Sequence, residues 1–165
     1  MSDWHGAEWY SHKPVLGQGQ PDDTLFHRQQ KALENIDDLY GGDLILLPGD
    51  TNTGKWYLED YINKYFPGSS AQDAVYKSGI NCYGTIKNLF SSAGYEKILV
   101  AVGDHELGDN YWRPRKTDAK TDSLTQFRDS FVQGLYGEPN TDEYIFKNDT
   151  IGNARPTPYG TDYEY

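Results

Sequence analysis

Two short apolar runs that both lead into Gly-Asp constrain the fold of this chain more than any other feature. The first run is Leu44–Leu47 and leads to Gly49 and Asp50, and the second, residues 98–102, leads to Gly-Asp-His-Glu at 103–106. Both are rich in Ile, Leu and Val and almost free of polar residues, which is typical of parallel strands buried on both faces. Because parallel strands present chemistry at their carboxyl ends, the two Gly-Asp tips are predicted to share one site.

Segments with helical spacing of apolar residues alternate with these runs. The spacing predicts helices over about residues 22–40, 54–66, 71–93 and 122–137, the last with Asp122 as its N-cap and Gly137 at its end. Gly79 and Gly84 are candidate breaks within the third helix, and the spacing places its apolar residues on one face: Cys82, Ile86, Leu89, Phe90 and Ala93. This alternation predicts an α/β layered fold with a mostly parallel sheet.

The chain length corresponds to one domain, with 165 residues. Residues 1–137 contain all the motifs, whereas residues 138–165 have few aliphatic side chains. We expect residues 138–165 to be a loosely ordered segment of the same domain, with strand character only at residues 144–146.

The acidic composition narrows the partners that this chain can have. A formal net charge of −10 disfavours a broad nucleic-acid surface and an anionic membrane surface, and it suits cation binding. Cys82 is the only cysteine, which excludes an intrachain disulfide and a cysteine-based zinc site. No apolar stretch approaches the length of a membrane span. The composition indicates no compartment.

A carboxylate and an imidazole also lie close together at the start of the chain. Asp3 and His5 are two residues apart, so on an extended backbone both side chains point the same way and could ligate one cation. The order Asp-x-His, strand-Gly-Asp, strand-Gly-Asp-His-Glu resembles the calcineurin-like metallophosphoesterase family over roughly residues 2–112. A parallel sheet needs an apolar strand ahead of Asp3, but only Met1 and Ser2 precede it, so we expect this sequence to be a fragment. By the resemblance it would be the N-terminal part of such a domain.

The resemblance implies a partial metallophosphoesterase-like sandwich that hydrolyses phosphate mono- or diesters at a dinuclear metal centre. It implies that Asp3, His5, Asp50 and Asp104 bind two divalent metal ions such as Mn, Fe or Zn, with Asp50 bridging them. By the same resemblance, His105 lies beside the scissile phosphate and helps to protonate or stabilise the leaving oxygen. The implied partner is a phosphoester substrate.

The chain departs from the family pattern in two ways. The family usually has Asn where this chain has Asp104, and the added negative charge should tighten cation binding while weakening attraction for an anionic substrate. The family also supplies three further histidine ligands after this motif, whereas this sequence has no histidine after His105. We therefore expect an incomplete site with weak or no catalysis. Glu106 would orient its neighbours or simply start a turn.

Two alternative functions stay open. Residues 49–55 fit the G-x-x-x-x-G-K pattern of a phosphate-binding loop, so a P-loop-like nucleotide-binding protein is one alternative. That loop needs Ser or Thr at the next position, where this chain has Trp56, and Asp50 would repel the phosphates. The alternative to a metal-binding role for Asp50 is that it merely caps the following helix. The second alternative is a non-catalytic module that binds a partner or a sugar through its aromatic surface, because the chain contains 14 tyrosines and 4 tryptophans.

Overall fold

A computed structural model describes most of the residues between 8 and 137 and a short piece near the C-terminus. The described residues are 8–17, 24–42, 44–95, 97–100, 103, 105–107, 123–137, 155–157 and 160–162. In chain order the elements are α1 (Glu8–Ser11), α2 (Thr24–Tyr40), β1 (Leu44–Leu47), α3 (Glu59–Tyr65), α4 (Ala71–Ser92), β2 (Lys97–Val100), a 3₁₀ turn (His105–Leu107), α5 (Leu124–Tyr136), β3 (Arg155–Thr157) and β4 (Gly160–Asp162). This mixture of helices with a sheet is compatible with the predicted α/β class.

The two apolar runs form a parallel pair of strands. Leu44 of β1 pairs with Lys97 of β2, and the register continues to Leu47 and Val100. Because the strands run in the same direction and are in step, their carboxyl ends lie at the same edge of the sheet. The prediction of parallel pairing is confirmed.

This strand pair is buried on one face only, which differs from the prediction of burial on both faces. Leu47 and Ile98 belong to the hydrophobic core together with side chains of α4 and α5. Leu46 and Leu99 are direct neighbours in the register, and they are 65% and 56% exposed. Successive strand side chains point to opposite faces, so the helices cover one face and leave these leucines accessible to solvent.

Helix α4 is unbroken from Ala71 to Ser92, so Gly79 and Gly84 do not interrupt it. Its N-terminus is capped by Ser70, whose hydroxyl accepts a hydrogen bond of 3.1 Å from the backbone N–H of Asp73. A Cβ atom at Gly79 would lie 1.9 Å from Oγ of Ser130 on α5. Gly79 therefore permits the close approach of two helices, and packing compensates for the weak helix propensity of glycine.

Helix α3 is shorter than its predicted range. The prediction began it near Gly54, but the helix begins at Glu59. Gly54 has a left-handed φ of +64°, and Trp56 is fully buried in the turn that follows. The left-handed backbone and the buried indole therefore delay the first helical residue.

Helix α5 follows the predicted range closely. Its N-cap is Ser123, so the prediction of Asp122 as the N-cap is wrong by one residue. Its C-cap is Gly137 with a φ of +77°, the left-handed conformation with which many helices end. No described helix is long and apolar enough to cross a membrane.

Aromatic side chains fill much of the core. Trp56 stacks on Phe127 with ring centroids 5.6 Å apart, and Tyr83 meets Phe131 edge to face at 5.0 Å. All four side chains are at most 1% exposed. Because aromatic rings bury large areas in fixed geometries, this cluster holds α4, α5 and the loop after β1 in one arrangement.

Within residues 138–165 the structure describes a single antiparallel hairpin. Arg155 pairs with Asp162, and Thr157 pairs with Gly160. The predicted strand residues 144–146 lie outside the described residues.

Candidate functional site

The chain reverses tightly after β1 and brings Asp50 against the end of β2. Gly49 and Asp50 have φ angles of +89° and +50°, a conformation that aspartate tolerates better than most residues. A Cβ atom at position 103 would lie 2.2 Å from Oδ1 of Asp50 and 3.0 Å from its backbone nitrogen. Only glycine fits at position 103, because the Asp50 carboxylate packs directly on the backbone there.

Glu106 joins the two loops that follow the strands. Its Oε1 accepts hydrogen bonds of 2.7 Å from both the backbone N–H and the hydroxyl of Thr51. Its Oε2 accepts from the backbone N–H groups of Asp50 at 2.9 Å and Gly103 at 2.8 Å. One side chain therefore satisfies three backbone donors from two loops that are far apart in the sequence.

The Glu106 carboxylate is 1% exposed. A buried carboxylate is stable only when hydrogen-bond donors compensate for its lost hydration, and the four donors provide that compensation. Because both oxygens are engaged by the protein, Glu106 is suited to fixing the loops and is poorly suited to binding a cation.

His105, which follows β2, is held by the loop after β1. Its Nδ1 lies 2.8 Å from the carbonyl oxygen of Asn52, and its backbone N–H makes a long hydrogen bond of 3.5 Å to Oδ1 of Asp50. A carbonyl can only accept, so Nδ1 carries the proton and donates it. Nε2 is then the atom with the lone pair that can take up a proton or bind a metal.

Asn52 and Tyr83 extend this arrangement into the core. The Asn52 side chain accepts from the backbone N–H of Gly54 at 2.6 Å and donates to the Tyr83 hydroxyl at 2.8 Å. Burial raises the pKa of Tyr83 well above its ordinary value, and the negative charge of Glu106 raises it further, although hydrogen bonds with Thr51 and Asn52 oppose the rise. The Tyr83 hydroxyl therefore stays protonated.

The structure brings together the two predicted site residues that it describes. Asp50 and His105 lie at the same edge of the sheet and contact each other. Asp3, His5 and Asp104 lie outside the described residues, so their roles stay predictions.

The chemistry of the described residues fits a divalent cation in part. Asp50 supplies a partly buried carboxylate, and His105 supplies an imidazole, a group that can bind metals and transfer protons. Within the described ranges, no group of three or more His, Cys, Asp or Glu side chains is arranged to hold a metal ion. Since three of the four predicted ligands fall outside those ranges, the metal site stays a prediction.

No family model, curated protein or solved structure matches this chain. The resemblance to metallophosphoesterases therefore stays a prediction from the three sequence motifs.

Sequence reasoning missed Asn52 and Tyr83. Asn52 lies in a polar loop, and nothing in the pattern distinguishes its side chain from those of its neighbours. Tyr83 lies on α4 beside Cys82, so the spacing of apolar residues could predict its burial but could not predict its hydrogen-bond partner. Glu106 was predicted to orient its neighbours or to start a turn; it lies within the 3₁₀ turn, which begins at His105, and its carboxylate binds the backbone of both loops.

Proposed function

We propose that this chain carries a metal-dependent phosphoesterase site that hydrolyses phosphate mono- or diesters with two divalent cations. The observation that carries the proposal is the meeting of two parallel strand ends, where the Asp50 carboxylate packs on Gly103 and Glu106 locks both loops. A carboxylate and an imidazole held together on a rigid scaffold are suited to cation and phosphate chemistry.

Each residue has a defined part in this proposal. Asp50, Asp3, His5 and Asp104 would hold the cations, which supply positive charge for the phosphate and acidify a water. His105 would take up a proton at Nε2 and pass it to the leaving oxygen, while its Nδ1–H stays on the Asn52 carbonyl. The proton is therefore delivered from one defined atom of the ring.

The geometry supports this function over the nucleotide-binding loop. A phosphate-binding loop needs free backbone N–H groups, but those of Asp50 and Thr51 donate to the Glu106 carboxylate. Trp56, at the position that requires Ser or Thr, is fully buried. The following helix begins only at Glu59, whereas a phosphate-binding loop leads directly into a helix N-terminus.

The aromatic composition gives less support to a partner- or sugar-binding module. Many of the described aromatic side chains belong to the core, including Tyr10, Trp56, Tyr83 and Phe90. Trp9, at 49% exposed, is accessible, but its ring is covered by the Lys13 ammonium at 3.9 Å from the centroid.

The test is hydrolysis of an activated aryl phosphodiester at high protein concentration with manganese or zinc present. We expect slow, metal-dependent product release, because the sequence supplies only about half of the donors that a two-metal site needs. Asp50→Ala should abolish the release, and Asp60→Ala, which removes an exposed carboxylate on α3, should leave it unchanged. Release that is no faster than that of Asp50→Ala would contradict the proposal.

A further inference from the structure

We propose that Asn52 is a positioning residue that sets the tautomer of His105, and that the buried Tyr83 hydroxyl acts on His105 through Asn52. The part that Nε2 of His105 plays in catalysis rests on the proposed function. The tautomer itself is a property of the protein without metal or substrate, so it can be tested separately.

The first link is the ring of Tyr83, which the core holds in place. It contacts Phe131 at a centroid distance of 5.0 Å and Trp56 at 6.2 Å, both edge to face. The side chain is 1% exposed. Because the ring cannot turn without displacing two large neighbours, the position of its hydroxyl is fixed.

The second link is the side chain of Asn52, which is fully buried. Its amide nitrogen donates to the Tyr83 hydroxyl, and its amide oxygen accepts from the Gly54 backbone. Both ends of the amide are therefore bound, which fixes the side-chain rotamer and the backbone of residue 52.

The third link is the main-chain carbonyl of Asn52, which accepts from Nδ1 of His105 at 2.8 Å. If this carbonyl turns away, the proton on Nδ1 loses its acceptor, and the population of the tautomer that carries this proton falls. The Tyr83 hydroxyl on α4 thus controls the population of the His105 tautomer that has its lone pair on Nε2.

The experiment is long-range ¹H–¹⁵N correlation on the ¹⁵N-labelled chain without metal, at a pH where the His105 ring is neutral. The chain has four histidines, and His105→Asn identifies the signals of interest by their loss. We expect Nδ1 of His105 to resonate as a protonated nitrogen and Nε2 as an unprotonated one, which is the signature of a single tautomer.

Tyr83→Phe removes only the hydroxyl, and Asn52→Ala removes the same link from the other side. In each folded variant we expect the two ¹⁵N shifts of His105 to move towards each other. Tyr61→Phe is the matched control, because its hydroxyl bonds Ser11 and Ser78 instead of the site, and it should leave the shifts unchanged.

Two results would overturn the proposal. One is a parent spectrum in which Nε2 of His105 carries the proton, which needs no variant to fold. The other is a folded Tyr83→Phe or Asn52→Ala variant with the parent separation of shifts. Failure of phosphodiester hydrolysis would leave this spectrum unaffected, so the two proposals can fail independently.

Discussion

Glu106 joins two loops whose contact residues are as many as 56 positions apart in the chain. Each of its oxygens accepts two hydrogen bonds, and together they satisfy the backbone of Asp50, Thr51 and Gly103. The position of Asp50 relative to His105 thus depends on a side chain that needs no direct contact with substrate.

Replacing Glu106 with Gln tests this dependence. The amide has one acceptor oxygen, and its NH₂ group faces donors, so buried N–H groups lose their partner. We expect the free energy of unfolding to fall by about 2 to 4 kcal/mol, measured by urea denaturation.

The matched control is Glu34→Gln, which breaks a surface ion pair of 3.3 Å with Lys31. It should change the free energy of unfolding by less than about 0.5 kcal/mol. A Glu106→Gln variant as stable as this control would show that the carboxylate does not hold the loops together.

Single residues of the site were predictable from the sequence only where a local pattern marked their position. Asp50 and His105 follow apolar strands, so their convergence follows from the rule for parallel sheets. The roles of Asn52 and Tyr83 depend on a contact between a loop and a helix 31 residues apart, and no local pattern encodes that contact.

The strand pair shows where apolar composition misled the prediction. A run of Ile, Leu and Val suggests burial on both faces, but composition does not say which elements are available to cover the sheet. Here α4 and α5 supply the core for Leu47 and Ile98, while Leu46 and Leu99 face outward.

Substitutions on the two faces of β2 should therefore differ in their effect. Ile98 is 8% exposed, and Ile98→Ala should lower the free energy of unfolding by about 2 to 4 kcal/mol through lost burial and a cavity. Leu99→Ser should cost less than about 1 kcal/mol, because its side chain is already accessible to water. Urea denaturation of both variants measures the difference, and equal losses would indicate a sheet covered on both faces.

The spacing of apolar residues correctly predicted the buried face of α4. The residues buried on α4 include Cys82, Ile86, Leu89 and Phe90, as the spacing predicted. The role of Gly79 was not predictable, because a glycine that admits a neighbouring helix looks the same in sequence as one that breaks its own.

For the molecule as a whole, the net charge of −10 and the meeting of the two strand ends both favour cation binding. An acidic chain attracts cations, and carboxylates at a rigid sheet edge can bind them with little further ordering. The class of fold was accessible from the alternation of elements, whereas the metal shell depends on Asp3, His5 and Asp104, which lie outside the described residues.

The central claim is that both strand ends contribute to one metal site, and calorimetric titration with Mn²⁺ tests it most directly. The parent chain and Asp104→Asn should both bind, because an amide oxygen replaces the carboxylate oxygen as a ligand. Asp50→Ala and Asp104→Ala should each weaken Mn²⁺ binding by more than about tenfold. Loss of a residue that only orients a metal ligand costs about that much, so loss of a ligand itself should cost at least as much. Asp60→Ala should bind like the parent. If Asp50→Ala binds Mn²⁺ as tightly as the parent chain, the strand ends do not form a shared metal site.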